Sequence, residues 1–228
     1  MKIPQHIGII LDGNRRWARA KGLPTFEGHR QGFENLKKIS QYAFDKGIKI
    51  LTVYAFSTEN WDRDKQEVAY LMGLFRLLVN KEINSLTKQG IKVNFFGRIE
   101  DFDKDLQKSI AKAQAKTKAG KNGILNICLS YGGRDELVRA FRKIVSQGIN
   151  ADKITEDLIS KHIDSAGLPD PDMIIRTSGE QRLSGFLTWQ SIYSEFYFPQ
   201  IDWPAFSSRD LDLAIEEYNN RQRRFGAN

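Results

Sequence analysis

Ile7-Gly8-Ile9-Ile10-Leu11-Asp12-Gly13-Asn14-Arg15-Arg16-Trp17 opens the chain with an apolar run that breaks into charge. A short run without alternation suits a strand buried on both faces. The pattern recurs with longer segments between. Gly28 to Gly47 carries Phe33, Leu36, Ile39, Tyr42 and Ala43 at three- and four-residue spacing, the period of a helix. Ile48 to Phe56 reads as a second strand and Gln66 to Gln89 as a long helix, apolar over much of its girth. Lys92 to Phe96 is a third strand, Phe102 to Lys118 a helix, and Ile124 to Ser130 a fourth strand. Arg134 to Ser146 is an amphipathic helix, Met173 to Arg176 and Ser194 to Phe198 are short strands, and Asp210 to Arg224 is a closing helix. Strands alternating with helices predict an α/β fold around a mostly parallel sheet. With no repeat, no low-complexity stretch and no Pro/Gly/Ser-rich linker, residues 1–228 read as a single domain. Ligands of such folds bind beyond the carboxyl ends of the strands.

Composition narrows the function. Of 228 residues, 40% are hydrophobic and 28% charged, which excludes disordered and fibrous classes. Lys and Arg exceed Asp and Glu by 35 to 28, a net +7 that suits an anionic partner: nucleic acid, phosphorylated metabolite or acidic membrane surface. The single cysteine, Cys128, excludes an internal disulfide and a cysteine-rich zinc site, and its apolar neighbours predict a buried thiol in a strand. The first residues lack the apolar core and cleavage site of a signal peptide, and no stretch approaches the roughly 20 apolar residues of a membrane span. The expectation is a cytoplasmic protein.

Three loops carry the chemistry. After the first strand, Gly13 permits a tight turn into a helix whose N–H groups, with Arg15 and Arg16, make a workable diphosphate cradle, and Asp12 can hold Mg²⁺ against phosphate oxygens. A helix cap followed by solvated arginines is the plain alternative. After the second strand, Ser57-Thr58-Glu59-Asn60-Trp61-Asp62-Arg63 crowds hydroxyls, carboxylates, an amide and a guanidinium around an indole. His29 stands at a helix start after Gly28, as cap, core contact or catalyst. After Arg176, Thr177-Ser178-Gly179-Glu180-Gln181-Arg182-Leu183-Ser184 offers arginines and hydroxyls for a second phosphate, or a polar surface loop. Glu195 lies within an aromatic strand and, if buried, must be paired or metal-bound. The chain has no GxxxxGK[ST], GxGxxG, HExxH or GxSxG motif and no DDxxD. Asp101, Asp103 and Asp105 suit a helix N-terminus.

Together, His6 to Asn14, Gly28-His29, Tyr54 to Trp61, Asn126, Tyr131-Gly-Gly-Arg134, Arg176 to Gln190 and Arg223-Arg224-Phe225-Gly226 resemble the cis-prenyltransferases, the undecaprenyl diphosphate synthase family, over almost the whole chain. The resemblance implies a six-stranded, mostly parallel sheet flanked by helices, with a hydrophobic tunnel, in a homodimer. It implies Mg²⁺-dependent condensation of isopentenyl diphosphate onto an allylic diphosphate such as farnesyl diphosphate. The product would be a long Z-polyprenyl diphosphate, undecaprenyl diphosphate, as a lipid carrier for cell-wall glycans. The enzyme would touch the inner membrane face without an anchor, and nucleic acid would not be a partner.

By the same resemblance, Asp12 holds the metal, with Glu195 contributing from near the subunit boundary, and Gly13, Asn14, Arg15, Arg16, Trp17 and His29 bind the starter diphosphate. Arg176, Arg182, Leu183 and Ser184 bind isopentenyl diphosphate. Ser57, Thr58, Glu59, Asn60, Trp61 and Arg63 form a mobile loop between the two substrates. Asn60 positions the substrate, since a neutral amide has too little basicity to be the final proton acceptor. The tunnel draws on Val68, Leu71, Met72, Leu74, Phe75, Leu77 and Leu78, with Ile50, Val53, Ala55 and Ile127 from the sheet; plain core is the alternative. Relatives often carry Gly at position 15, Asn at position 185 and a basic residue at position 25, where this chain has Arg15, Gly185 and Thr25. Thr25 cannot supply the cationic diphosphate contact of a basic residue, which is then either lost or supplied by Lys21 or Arg30. Gly123 would lie near the tunnel floor. A different starter or product length, a non-catalytic subunit of this fold, and a nucleic-acid binder are the competing readings.

Overall fold

The computed structural model describes residues 2–221. Six strands form one sheet: β1 (His6–Ile10), β2 (Ile50–Ser57), β3 (Ile91–Phe96), β4 (Gly123–Tyr131), β5 (Met173–Arg176) and β6 (Glu195–Tyr197). Their order is β3-β4-β2-β1-β5-β6, and every neighbouring pair is parallel. The helices are α1 (Asn14–Ala20), α2 (Thr25–Asp45), α3 (Lys65–Leu77), α4 (Ile83–Lys88), α5 (Lys104–Thr117), α6 (Gly133–Ser146), α7 (Glu156–Ser160) and α8 (Ser208–Asn220). The predicted elements are present with boundaries shifted by a few residues, while α1 and α7 were not delimited from the sequence. Residues 222–224 of the predicted last helix, and Arg223 to Gly226 of the family resemblance, lie outside the described residues.

The predicted helix over 66–89 is α3 and α4 joined by one π turn, Leu78–Glu82. Asp64 caps α3 through the N–H groups of Gln66 and Glu67, and Asp103 caps α5 through that of Leu106, as the aspartates near position 103 led one to expect.

Strand alternation divides the interior. Ile7, Ile9, Leu51, Val53, Leu125, Ile127 and Ile175 join the large core shared with α2, α3, α5 and α8. The opposite face carries a buried polar ladder. His6 Nε2 lies 2.7 Å from Thr52 Oγ1, Asn126 donates to Thr52 Oγ1 at 2.9 Å, and Asn94 donates to Asn126 at 2.8 Å. The strands are therefore less uniformly apolar inside than their runs suggest. Ile50 shares Thr52's face and turns away from the α3 side. Cys128 is fully buried in β4, as expected, and burial pushes its thiol well above the ordinary range.

Candidate active site

Topology brings the ends of β1, β2 and β5 together: the chain leaves β1 toward β2 on one side and later adds β5 on the other. The crevice outside such a reversal is where open α/β sheets hold ligands. Asp12 follows β1, Ser57 ends β2 and Arg176 ends β5.

Gly13 caps α1 at φ +105°, and a Cβ there would sit 2.9 Å from the Asp202 Cα. Only glycine fits this turn without strain. It leaves the Asp12 carboxylate at the crevice. Arg176 donates to Asp12 Oδ2 from Nη2 at 2.9 Å and Nε at 3.3 Å, while Arg16 Nη2 is 3.2 Å from Oδ1. Burial alone would raise the Asp12 pKa. The Arg176 hydrogen bond and the two guanidinium charges outweigh it, and hold the carboxyl below the usual range. Asp12 is thus ionised at neutral pH. Arg176, 5% exposed, also donates from Nη1 to Ser184 Oγ at 2.8 Å and to the Arg182 carbonyl at 2.5 Å, fixing the second loop. Glu180 ties the two loops together, accepting from Arg16 Nη1 at 2.9 Å and pairing with Arg182.

The loop after β2 forms a 3₁₀ turn, Thr58–Asp62. Asn60 Oδ1 accepts from the Ser57 N–H at 3.2 Å, part of a reciprocal cap between these residues. Trp61 anchors the turn away from the crevice. Its indole donates to Ser130 Oγ at 2.9 Å and packs 5.0 Å from the Phe56 ring and 5.4 Å from the Phe102 ring.

His29 is buried in the first turns of α2. Its Nε2 is 3.0 Å from Glu67 Oε1, which also accepts from Arg63 Nη1 at 3.1 Å; Arg15 Nε is 3.9 Å from Oε2. Burial lowers the pKa of His29, and the nearby Glu67 opposes this without overcoming it. Gly28 makes the arrangement possible. A Cβ there would lie 2.9 Å from the Asn14 carbonyl carbon, so α1 and α2 approach closely only because this residue is glycine.

These groups border a cavity of about 940 Å³. Asp12, Asn14, His29, Ser57, Thr58, Glu59, Asn60, Arg63, Arg176, Leu183 and Ser184 line it. Its apolar wall comes from α2 (Phe33, Leu36), from α3 and its π turn (Leu71, Leu74, Phe75, Leu78), and from Ala55 and Ile127. Of the residues expected in a tunnel, Val68, Met72, Leu77 and Val53 do not line the cavity, and the lining residues Leu71, Phe75, Leu78 and Ile127 also belong to the core.

Several expected site residues stand elsewhere. Gly13, Arg15, Arg16 and Arg182 border the cavity lining without joining it. Trp17 lies beneath the Lys21 ammonium, 5.0 Å from its ring centre. Arg30, expected to substitute at Thr25, is gripped by Glu27 at 2.6 and 2.9 Å. Gly123 is no tunnel floor; a Cβ there would meet the Phe44 ring at 2.6 Å. Glu195 does not reach Asp12 within the chain. It pairs in register with Met173, whereas Ile10 pairs with Arg176, which separates their levels by about 10 Å along the strands. Its carboxylate accepts instead from Arg221 Nη1 at 2.8 Å.

The sequence reading assigns no role to Glu67 or Asp135, and quotes Glu180 within the second loop and Gly132, Gly133 and Arg134 within a family motif without placing them in the site; Gly132, Gly133, Arg134 and Asp135 line the cavity after β4. The rule that directs attention beyond each strand applies equally to β4 and would have found the last four. Among the described residues, no cluster of three or more His, Cys, Asp or Glu side chains forms a metal site, and no helix is long and apolar enough to cross a membrane.

Comparison with known proteins agrees with this architecture. The family model described as "Putative undecaprenyl diphosphate synthase" matches residues 10–226. The isoprenyl transferase of Clostridium perfringens is 46% identical, over 99% of this chain and 90% of that protein. The isoprenyl transferase of Aquifex pyrophilus is 44% identical, over 99% and 97%. Lavandulyl diphosphate synthase from Lavandula x intermedia, solved with dimethylallyl diphosphate, superposes with a TM-score of 0.94 at 37% identity, covering 98% of each chain. A "probable undecaprenyl diphosphate synthase" from Campylobacter jejuni superposes at 0.83 with 28% identity, over 99% of this chain and 100% of that one. The chain therefore belongs to the undecaprenyl diphosphate synthase family and is a prenyl transferase of the cis-prenyltransferase fold.

Proposed function

We propose that the chain condenses isopentenyl diphosphate repeatedly onto farnesyl diphosphate to give a long Z-polyprenyl diphosphate, undecaprenyl diphosphate, a lipid carrier for cell-wall glycans. One observation carries the reading: the Asp12–Arg176 pair joins two cation-rich loops at the polar end of an apolar cavity. Asn14, Arg15, Arg16, His29 and Arg63 bind the starter diphosphate, and Arg176, Arg182 and Ser184 bind that of isopentenyl diphosphate. As the allylic C–O bond breaks, charge builds on the departing diphosphate, and fixed cations stabilise it more than they stabilise the ground state. The apolar wall takes up the lengthening chain. Asn60 positions the second substrate; its carbonyl oxygen is already engaged by the Ser57 N–H, which suits an orienting role better than proton removal.

Asp12 fits a divalent cation. It is an ionised carboxylate facing the cavity; the Gly13 N–H, Arg16 and two Arg176 N–H groups already face its oxygens, but the Arg16 side chain is 46% exposed and can give way to a cation at Oδ1. With no protein cage among the described residues, the ion would be shared between Asp12 and substrate phosphates, the usual Mg²⁺ mode. Bound Mg²⁺ would neutralise charge on the leaving diphosphate. Glu195 has no part in that site within one chain.

Two surfaces support the remaining features. Exposed Val138, Phe141 and Val145 recur along α6, an apolar stripe that a second copy would cover in a homodimer. Lys104, Lys108, Lys112, Lys116, Lys118 and Lys121 are exposed on or just after α5, against the nearby Asp105. Such a face suits the anionic inner surface of the membrane, with the protein itself in the cytoplasm.

The test is product analysis with Mg²⁺, farnesyl diphosphate and labelled isopentenyl diphosphate, the dephosphorylated products being sized. A ladder ending at one long polyprenol is expected. The likeness to a protein solved with dimethylallyl diphosphate favours one second reading, a shorter starter and product, and a parallel incubation with dimethylallyl diphosphate separates them. No incorporation with either starter would refute both.

A further inference from the structure

Glu67 has no role in the chemistry proposed for the site and does not itself line the cavity, yet it holds groups assigned to the starter diphosphate. It is 6% exposed. Three groups assigned to that diphosphate converge on it from three segments: Arg15 from α1, His29 from α2 and Arg63 from the turn before α3. Among the described residues, no other carboxylate lies within ion-pair distance of these three. A buried acid near a helix start invites a plainer explanation, a capping box closed by a carboxylate reaching back to the cap residue. Here the Glu67 side chain makes no bond to the Asp64 N–H, and its oxygens face His29 and the two arginines instead.

We infer that Glu67 is an intramolecular stand-in for the starter's diphosphate, holding Arg15, His29 and Arg63 until the substrate displaces it. The inference rests on the assignment of these residues to that diphosphate. The donor atoms facing Glu67, Arg63 Nη1 and His29 Nε2, are ones a phosphate oxygen would use. The Arg63 guanidinium is only 30% exposed and would be costly to hold there without an anion, so the protein supplies one. The carboxylate thereby opposes tight retention of diphosphate, which the enzyme must release after every condensation.

Glu67→Gln removes the charge and keeps the shape and one acceptor. Calorimetric titration with inorganic diphosphate, with and without Mg²⁺, should show roughly tenfold tighter binding than the wild type, about 1.4 kcal/mol. Inhibition by added diphosphate should sharpen in parallel. Glu67→Asp, which retains the charge, should keep the weaker affinity. Unchanged or weaker binding in Glu67→Gln would overturn the inference and leave Glu67 a residue that orients its neighbours. Equal tightening in Glu67→Asp would also overturn it, since the cause would then be size. A thermal melt of each variant identifies loss of fold, and salt dependence of the affinity reports the charge directly. Binding to the wild type that is absent, or indifferent to Arg63→Ala, would refute the site assignment itself, a result distinguishable from either outcome at Glu67.

Discussion

The same substitution should have opposite effects in two neighbouring helices. Gly28 in α2 has no room for a Cβ: the atom would lie 2.9 Å from the Asn14 carbonyl carbon and closer still to its oxygen. The obstacle is backbone, which cannot rotate aside, so α1 and α2 must separate. Overpacking of this kind costs up to about 3 kcal/mol, and the helix preference of Ala over Gly returns about 1 kcal/mol. Gly28→Ala should therefore destabilise by ~2 kcal/mol. Gly73 in α3 is exposed, and a methyl group there would have no neighbouring atom within 4 Å, so Gly73→Ala gains the same preference unopposed, about 1 kcal/mol. At roughly 2–4 °C per kcal/mol for a domain of this size, thermal melts should fall by ~4–8 °C in the first variant and rise by ~2–4 °C in the second. Because α1 carries Asn14 and α2 carries His29, Gly28→Ala should also raise the KM for the starter; Gly73→Ala should not. Equal stability of Gly28→Ala and wild type, or shifts of one sign in both variants, would refute the close-approach argument.

Asp12→Ala should abolish turnover and also lower the melting temperature, because Arg176 is buried and loses its carboxylate; a charged hydrogen bond of this kind is worth about 2 kcal/mol. A folded variant with near-normal turnover would remove Asp12 from the chemistry. Arg182→Ala should raise the KM for isopentenyl diphosphate more than that for the starter, and the reverse pattern would reassign the loop. Leu74→Trp, on the cavity wall, should shorten the product, read by sizing the dephosphorylated polyprenols; unchanged length would place the growing chain elsewhere. Burial lowers the His6 pKa from 6.5 to about 4, so the unfolded chain binds the extra proton first as the solution is acidified. Stability should drop by roughly 3 kcal/mol between pH 6.5 and pH 4, and His6→Gln should flatten that limb in denaturation measured against pH.

What the sequence revealed, and what it hid, follows from the range of the forces involved. Strands such as Met173–Arg176 were legible because burial on both faces leaves an uninterrupted apolar run. Asp103 was legible as a cap because the cap bonds to its own helix, three residues on. Neither reading needs a distant partner. The wall of the cavity does: α3 is apolar over much of its girth, and only the positions of α2 and the sheet separate Leu71 and Leu74, which line the cavity, from Val68 and Met72, which do not. The placing of Trp61 needs distant partners too, since Ser130 and Phe102, far along the chain, hold the indole that the sequence shows only in a polar loop. Glu67 is the sharpest instance. Three residues after Asp64 it has the spacing of a helix-cap acid, and nothing local contradicts that reading. Its three neighbours come from positions 15, 29 and 63, and Arg15 and His29 converge on it only because Gly28 lets α1 and α2 close on each other. The residue that permits the cradle was thus visible as a motif glycine, while the carboxylate that fills the cradle could be recognised only after folding. A charge site built from separate segments leaves its attractive residues in the sequence as conspicuous arginines. Its counter-charge can be any acid that the fold happens to carry inward, and no spacing along the chain marks which acid that is.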